Sequence, residues 1–291
     1  MAKYDFSPHG CPCGLMREDQ CDCGALGKMK KRLIYQVYLG KKSKLYDWCT
    51  ASVKAYADRI GADYLCRTQP NLMIRPNPFR TGRSKEAVDR LGYLPIFEKE
   101  NAFAHWPDYD QIAIIDSDIY VRPNAPDLFN EIPSDADFAG VLERSLPITP
   151  AHRQKLAGYS RMQYGPLKNE IEMQYDRHGA ADFYNMGMML MNKSLEKYLW
   201  GQNPLEFLKR PEFQDFVDGI GPWKWSTDQT LLNYWIKKEK MKVTDLHWKW
   251  NALYTAIPNE DLKKAYFVHF YLKDKLPQQG ENVEELRKLI E

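Results

Sequence analysis

The stretch QIAIIDSDIYV at 111–121 limits the fold of this chain more than any other. A short, unbroken apolar run is what a strand looks like when both of its faces are covered, as in a sheet held between helix layers. A half-exposed strand would alternate instead. The run ends on Asp116 and Asp118, and apolar character resumes at Ile119. Side chains two apart in an extended chain point the same way. If 112–118 stays extended, both carboxylates emerge together at the carboxyl end of a buried strand, where open α/β sheets bind ligands.

The rest of the chain fits that layered reading. RLIYQVYLG predicts a first strand ending at Gly40. Leu45, Trp48, Cys49, Val53, Tyr56, Ala57 and Ile60 recur at helical spacing, and Gly61 is the stop. ADYLC follows as a second strand, making a parallel strand–helix–strand unit. RTQPNLMIRPNPFRTGRSK has no clean period and reads as a loop over a site, with Arg75, Arg80 and Arg83 in it. A helix covers part of 84–104, with Pro95 either kinking it or opening a second one. DFAGV and GMMLMN are further buried strands, and 144–180 holds helices or a lid. TDQTLLNYWIKKEK is a helix with Leu231, Leu232, Trp235 and Ile236 inward. AYFVHFY is the last strand, and NVEELRKLIE a short amphipathic helix. The expected class is α/β, with a Rossmann-like, mostly parallel central sheet flanked by helices. Residues 1–28 form a Cys-rich arm, and 29–291 form one domain.

Charge excludes some partners. Lys and Arg number 41 against 39 acidic residues, a net +2 that gives no pull toward nucleic acid or an anionic membrane. The start, MAKYDFSPHG, lacks the apolar centre of a signal peptide, and nothing reaches the roughly 18 apolar residues of a membrane helix. The expected location is the cytoplasm, with no transmembrane segment. Four of the six cysteines fall in HGCPCGLMREDQCDCG: Cys11 with Cys13, and Cys21 with Cys23, each pair one residue apart. Two readings stand for them: a structural Zn2+ site of four thiolates, with His9 as a substitute ligand, or a flexible arm of free thiols. Cys49 and Cys66 lie in apolar contexts and read as inert core thiols.

Two unpaired carboxylates at a strand end would repel each other and lose hydration. A divalent cation removes both costs. Hard oxygen ligands favour Mg2+ or Mn2+, with substrate phosphates completing the shell. The plain alternative is a strand end with two solvated or capping aspartates.

Several stretches then carry a resemblance. IAIIDSDIYVRPNAPDLF resembles the metal-binding D-x-D segment of GT-A fold glycosyltransferases. FYNMGMMLMNKS, with Asn185, Gly187 and Asn192, resembles a segment of the retaining family 8 group, which includes glycogenin and bacterial lipopolysaccharide hexosyltransferases. So do STDQTLLNYW, with Asp228, Gln229, Leu232 and Asn233, and HWKWNAL, with Trp250 and Asn251. VHFYLKDKLPQ matches at His269, Phe270 and Lys275. The matches keep the family's order and span about 33 to 277. Leu272 stands where the family has Gly, the terminal Pro-Trp is displaced or absent, and the Cys-rich arm has no counterpart.

The resemblance implies a catalytic domain that moves a hexose from a nucleotide sugar, most often a UDP-sugar, to a carbohydrate or other hydroxyl acceptor, with retention. It implies that Asp116, Asp118 and His269 hold Mn2+ or Mg2+ against the diphosphate and that Lys275, with Lys273 as fallback, adds positive charge there. Ser117 and Arg83 join the donor contacts, Asn185 and Asp228 hold sugar hydroxyls, and Gln229 sits below the anomeric carbon. Each has a bland alternative: a core histidine for His269, a turn amide for Asn185, a helix N-cap for Thr227 or Asp228. Gln36 and Tyr38 alternate onto one face at the first strand's end and are expected to meet the nucleotide base, or simply to pack. Trp223, Trp225, Trp248 and Trp250 form two Trp-Lys-Trp triplets, an acceptor platform if extended and packing otherwise. Two other functions remain: a sugar-phosphate nucleotidyltransferase, disfavoured because YLGKKSKLYDW has one Gly after the first strand, and a nucleotide-sugar-binding protein on an inactive scaffold.

Overall fold

The computed structural model describes residues 30–86, 89, 92–225 and 228–291. Cys11, Cys13, Cys21, Cys23 and His9 lie outside the described residues, and the zinc expectation lies outside them too. The same holds for Thr227 and its capping role.

A six-stranded sheet forms the centre. Its strands are β1 (Arg32–Val37), β2 (Asp63–Arg67), β3 (Gln111–Ile115), β5 (Phe138–Leu142), β6 (Tyr184–Asn192) and β7 (Val243–Asp245). Their order is β2-β1-β3-β6-β5-β7. β1 runs parallel to β2 and β3, and β5 parallel to β7; β6 alone runs against its two neighbours. Every residue of β3 and β6 is buried, as unbroken apolar runs require. A second sheet of three short strands, ordered β4-β9-β8, consists of β4 (Ile119–Val121), β8 (Ala252–Leu253) and β9 (Phe267–His269). The sequence did not signal β4, β7 or β8 as strands, because two or three residues show no period.

Helix α1 (Lys44–Ile60) buries Leu45, Cys49, Val53, Tyr56 and Ala57, one stripe at helical spacing, and ends where Gly61 turns left-handed at φ 66. α2 (Pro150–Tyr164) starts on Thr149, whose hydroxyl accepts from the His152 N–H, with Pro150 in the first turn. α3 (Asp228–Lys238) buries Leu231, Leu232, Trp235 and Ile236 as expected. α4 (Val283–Ile290) closes the chain over Leu286 and Ile290. Pro95 opens a helix rather than kinking one: residues Pro95–His105 form an 11-residue 3-10 helix, far longer than the usual single turn.

Two expectations change here. Cys66 is only half-buried. Both Trp-Lys-Trp triplets lie in 3-10 turns, Gly221–Trp225 and Trp248–Trp250, so neither presents two indoles on an extended face; Trp250 is core and Trp225 exposed. Among the described residues no helix is long and apolar enough to cross a membrane.

Candidate active site

The two aspartates meet by a turn, not by strand alternation. β3 ends at Ile115, and the Ile119 N–H donates back to the Asp116 carbonyl at 3.1 Å. Three contacts hold the turn: Asp116 N–H to Gly187 O (2.7 Å), Gln36 Nε2 to Asp116 O (3.1 Å), and Phe270 N–H to Asp118 O (2.9 Å). The chain leaves the large sheet at Asp116 and enters the small one at Ile119, so the paired carboxylates sit at the junction of the two.

His269, opposite Ile119 on β9, completes the group. Its Nε2 lies 3.3 Å from Asp118 Oδ1 and 3.9 Å from Asp116 Oδ2. One ligand atom from each of the three lies within 4.8 Å of the others. Nδ1 of His269 is 3.0 Å from Asn251 Oδ1, which leaves Nε2 as the nitrogen facing the carboxylates. Gly187 makes room: a Cβ there would stand 2.2 Å from His269 Cε1. Two carboxylates and an imidazole suit Mn2+ or Mg2+, with free positions for phosphate oxygens, so the residues present fit such an ion. Burial raises the Asp116 carboxyl from 3.8 to about 6, with Lys99 pulling it back. At Asp118 burial also pushes upward, but the His269 charge and hydrogen bond outweigh it and the carboxyl is lowered. His269 moves the other way: burial lowers it, the Asp118 charge more than restores it, and the result is raised.

A residue that sequence reasoning missed ties this group to a third carboxylate. Lys99, in the 3-10 helix, lies 2.9 Å from Asp116 Oδ1 and 2.7 Å from Asp228 Oδ2, and donates to Met186 O at 2.9 Å. Burial works against its charge, yet the two aspartates overcome that and its pKa is raised. In sequence, Glu98, Lys99 and Glu100 look like a solvated charged face; all three are buried.

A bulge supplies the backbone partners. β5 pairs with β6 from Phe138 to Gly140, then jumps so that Val141 faces Asn185. The register shift leaves Met186 free to bond side chains: its N–H donates to Gln229 Oε1 at 3.3 Å and its carbonyl accepts from Lys99. Glu143, just beyond β5, was also missed. Its Oε1 accepts from Asn185 Nδ2 (2.7 Å) and Gln229 Nε2 (3.4 Å), and burial raises its carboxyl.

These groups floor a cleft of about 410 Å3. Among the predicted site residues, Asp116, Ser117, Asp118, Asn185, Asp228, Gln229 and His269 line it. From the first strand's end the cleft takes Val37 and Leu39, the opposite parity to that expected. Gln36 is buried, donating to Asp116 O and accepting from Tyr64 at 2.8 Å; the Tyr38 hydroxyl accepts from the Ser43 N–H at 2.8 Å. Arg83 is not among the lining residues: its guanidinium donates to the carbonyls of Val217 and Phe216 at 3.0 and 2.9 Å. Lys275 is exposed in a turn outside the lining, and Lys273 donates to Ser43 Oγ and Glu281. Leu272 lines the cleft with a left-handed backbone at φ 61, the conformation that glycine adopts freely.

No family model matches the chain, and no curated protein matches it. Solved structures do. A glycosyltransferase involved in glycosylation of the major capsid of PBCV-1 is 15% identical, covering 88% of this chain and 99% of that one, with a TM-score of 0.51. The galactosyltransferase LgtC, in complex with donor and acceptor sugar analogs, is 12% identical, covering 89% and 95%, with a TM-score of 0.52. An active-site mutant of LgtC gives 11%, 88%, 95% and 0.51. At such identities the likeness is one of fold. The mixed sheet and the helices around it are those of the GT-A glycosyltransferase fold, the fold that the sequence resemblance implied.

Proposed function

We propose that this chain is a metal-dependent glycosyltransferase that moves a hexose from a UDP-sugar to a hydroxyl acceptor with retention. The observation that carries the reading is the gathering of Asp116, Asp118 and His269, at the junction of two sheets, in a cleft of a GT-A fold. Those three would hold Mn2+ or Mg2+, which when bound supplies positive charge to the departing diphosphate. Lys99 pairs with both Asp116 and Asp228 and holds the two carboxylates in place. Asn185 and Asp228 line the cleft and would contact the sugar hydroxyls, and Gln229 lies in the same lining, its amide oriented by Met186 N–H. Val37, Leu39, Tyr46 and Ile96 add an apolar wall to the cleft. Lys275 and Arg83 belong to the reading only if the 271–281 and 75–84 segments close on the donor.

The test is nucleotide release from a panel of nucleotide sugars, with Mn2+ or with EDTA, for the wild type and Asp118→Ala. Release from one UDP-sugar that needs metal and is lost in the variant supports the reading. Metal-dependent UDP binding without release favours an inactive scaffold. Pyrophosphate production from a sugar phosphate and UTP favours a nucleotidyltransferase, and absence of both binding and release overturns the transferase.

A further inference from the structure

Four polar side chains run in a line from the half-buried Glu143 to the buried imidazole: Glu143, Asn185, Asn251 and His269. Glu143 Oε1 accepts from Asn185 Nδ2 at 2.7 Å. Asn185 Oδ1 accepts from Asn251 Nδ2 at 2.9 Å. Asn251 Oδ1 faces His269 Nδ1 at 3.0 Å. Asn185, Asn251 and His269 are 6%, 0% and 5% exposed, so water does not substitute between these three.

An amide can turn over, exchanging its oxygen for its NH2 at almost no steric cost, and a neutral imidazole can carry its proton on either nitrogen. Taken singly, each group in the line is ambiguous. Together they are not, because both anchors are fixed. The Gly187 backbone N–H, 3.0 Å from Asn185 Oδ1, can only donate. The Glu143 carboxylate can only accept. Turning Asn185 over would set its NH2 against the Gly187 N–H and its oxygen against the carboxylate, two repulsions in a dry site. With Asn185 fixed, Asn251 must present its oxygen to His269, so Nδ1 must carry a proton, and Nε2, which faces Asp118 Oδ1 at 3.3 Å, is the nitrogen left to a cation.

We propose that Glu143 is a positioning residue for the metal-facing nitrogen: through Asn185 and Asn251 it sets the hydrogen-bond polarity that keeps a proton on His269 Nδ1, so that Nε2 is the nitrogen offered to a cation held with Asp116 and Asp118. Gln229, whose Nε2 donates to the same carboxylate oxygen at 3.4 Å, is oriented by the same anchor. The inference rests on the Asp116–Asp118–His269 group binding a metal, as the proposed function also does, but needs no sugar.

The experiment reads the imidazole directly. Protein with 15N-labelled histidine, saturated with diamagnetic Mg2+, is compared for wild type, Glu143→Leu and Glu143→Gln by long-range 15N–1H correlation. The His269 signals are assigned with His269→Gln. Wild type is expected to show the Nδ1–H pattern, Glu143→Leu a mixture of tautomers, and Glu143→Gln, which retains an acceptor oxygen, mostly the wild-type pattern. Mn2+ affinity by calorimetry is expected to fall about 10- to 100-fold in Glu143→Leu, as for other partners of metal-binding histidines, and to recover in part in Glu143→Gln. An Nε2–H tautomer in wild type, or an unchanged tautomer and Mn2+ affinity in a folded Glu143→Leu, overturns the proposal. A wild type that binds Mn2+ with the expected tautomer but neither binds UDP nor releases nucleotide overturns the transferase reading and leaves this one standing.

Discussion

Asp116 and Asp137 sit at opposite ends of one sheet, the first leaving β3 and the second entering the parallel β5. The carboxylates are treated in opposite ways. Asp137 accepts from Lys197 Nζ (3.0 Å), the Tyr198 hydroxyl (2.9 Å) and the Lys242 N–H (3.0 Å). Burial pushes its carboxyl up, but these donors and Ser194 outweigh that and hold it below its ordinary value. Asp116 has Lys99 and a distant imidazole beside two other carboxylates, and its carboxyl is raised to about 6. A buried carboxylate surrounded by donors is finished as structure. One short of donors and crowded by like charge is waiting for a cation.

The sharpest way to break that comparison is to remove one carboxylate from each end. Asp118→Ala is expected to cut metal-dependent nucleotide release on the order of a thousandfold, the several kcal/mol a metal supplies to a leaving group, while Tm stays within a few degrees. Asp137→Ala should do the reverse: about 2 kcal/mol of stability lost in urea unfolding, from stranded donors, with kcat per folded molecule unchanged. If the two variants behave alike, the distinction fails.

Next in size is Lys99→Met. It leaves Asp116 and Asp228 without their cation in a buried site, at an expected cost of about 3–5 kcal/mol in metal-free protein. Saturating Mn2+ should return part of that, read as a larger Tm gain on metal addition than the wild type shows. Gly187→Ala comes third: its Cβ would displace His269, so Mn2+ affinity should fall at least about tenfold. Gly61→Ala at the end of α1 strains a left-handed residue with open space around it, and should cost only about 1 kcal/mol and leave Mn2+ affinity alone.

The smallest effect is a sign. The Asp137 carboxyl is lowered in the fold, so its stability contribution is present above the ordinary 3.8 and is lost as pH falls through its folded value. The Asp116 carboxyl is raised, so the metal-free fold holds that proton more tightly than the unfolded chain does, and its contribution declines as pH rises from 3.8 to about 6. Mn2+ must displace the same proton, so its affinity should weaken as pH drops through about 6. Calorimetric titrations a pH unit either side of that value check this; equal affinities would mean that Asp116 is already ionised.

What could be read from sequence follows the range of each signal. β1, α1, β2, β3, β6 and α3 carry their pattern within a dozen or so residues, and Asp116, Asp118, Asn185, Asp228, Gln229 and His269 came with motifs on or beside those elements. Parity failed at β1 because the face of the cleft is decided by where β3 and the 3-10 helix pack, so Val37 rather than Gln36 lines it. Lys99 and Glu143 were invisible for a similar reason. A charged residue looks solvated until its partners, here Asp228 and Asn185, arrive from more than 40 positions away.

The three candidate ligands bridge two sheets: Asp116 and Asp118 lie in the turn that joins the large sheet to the small one, and His269 lies on β9 of the small one. A cation at that point would be a rivet as well as a reagent. The small sheet includes β8 and β9, drawn from the last 40 residues of the chain, so holding it rigidly against the first 120 would depend on ion occupancy. Amide exchange in β4 and β9 would then report how full the site is, whether or not any sugar is present.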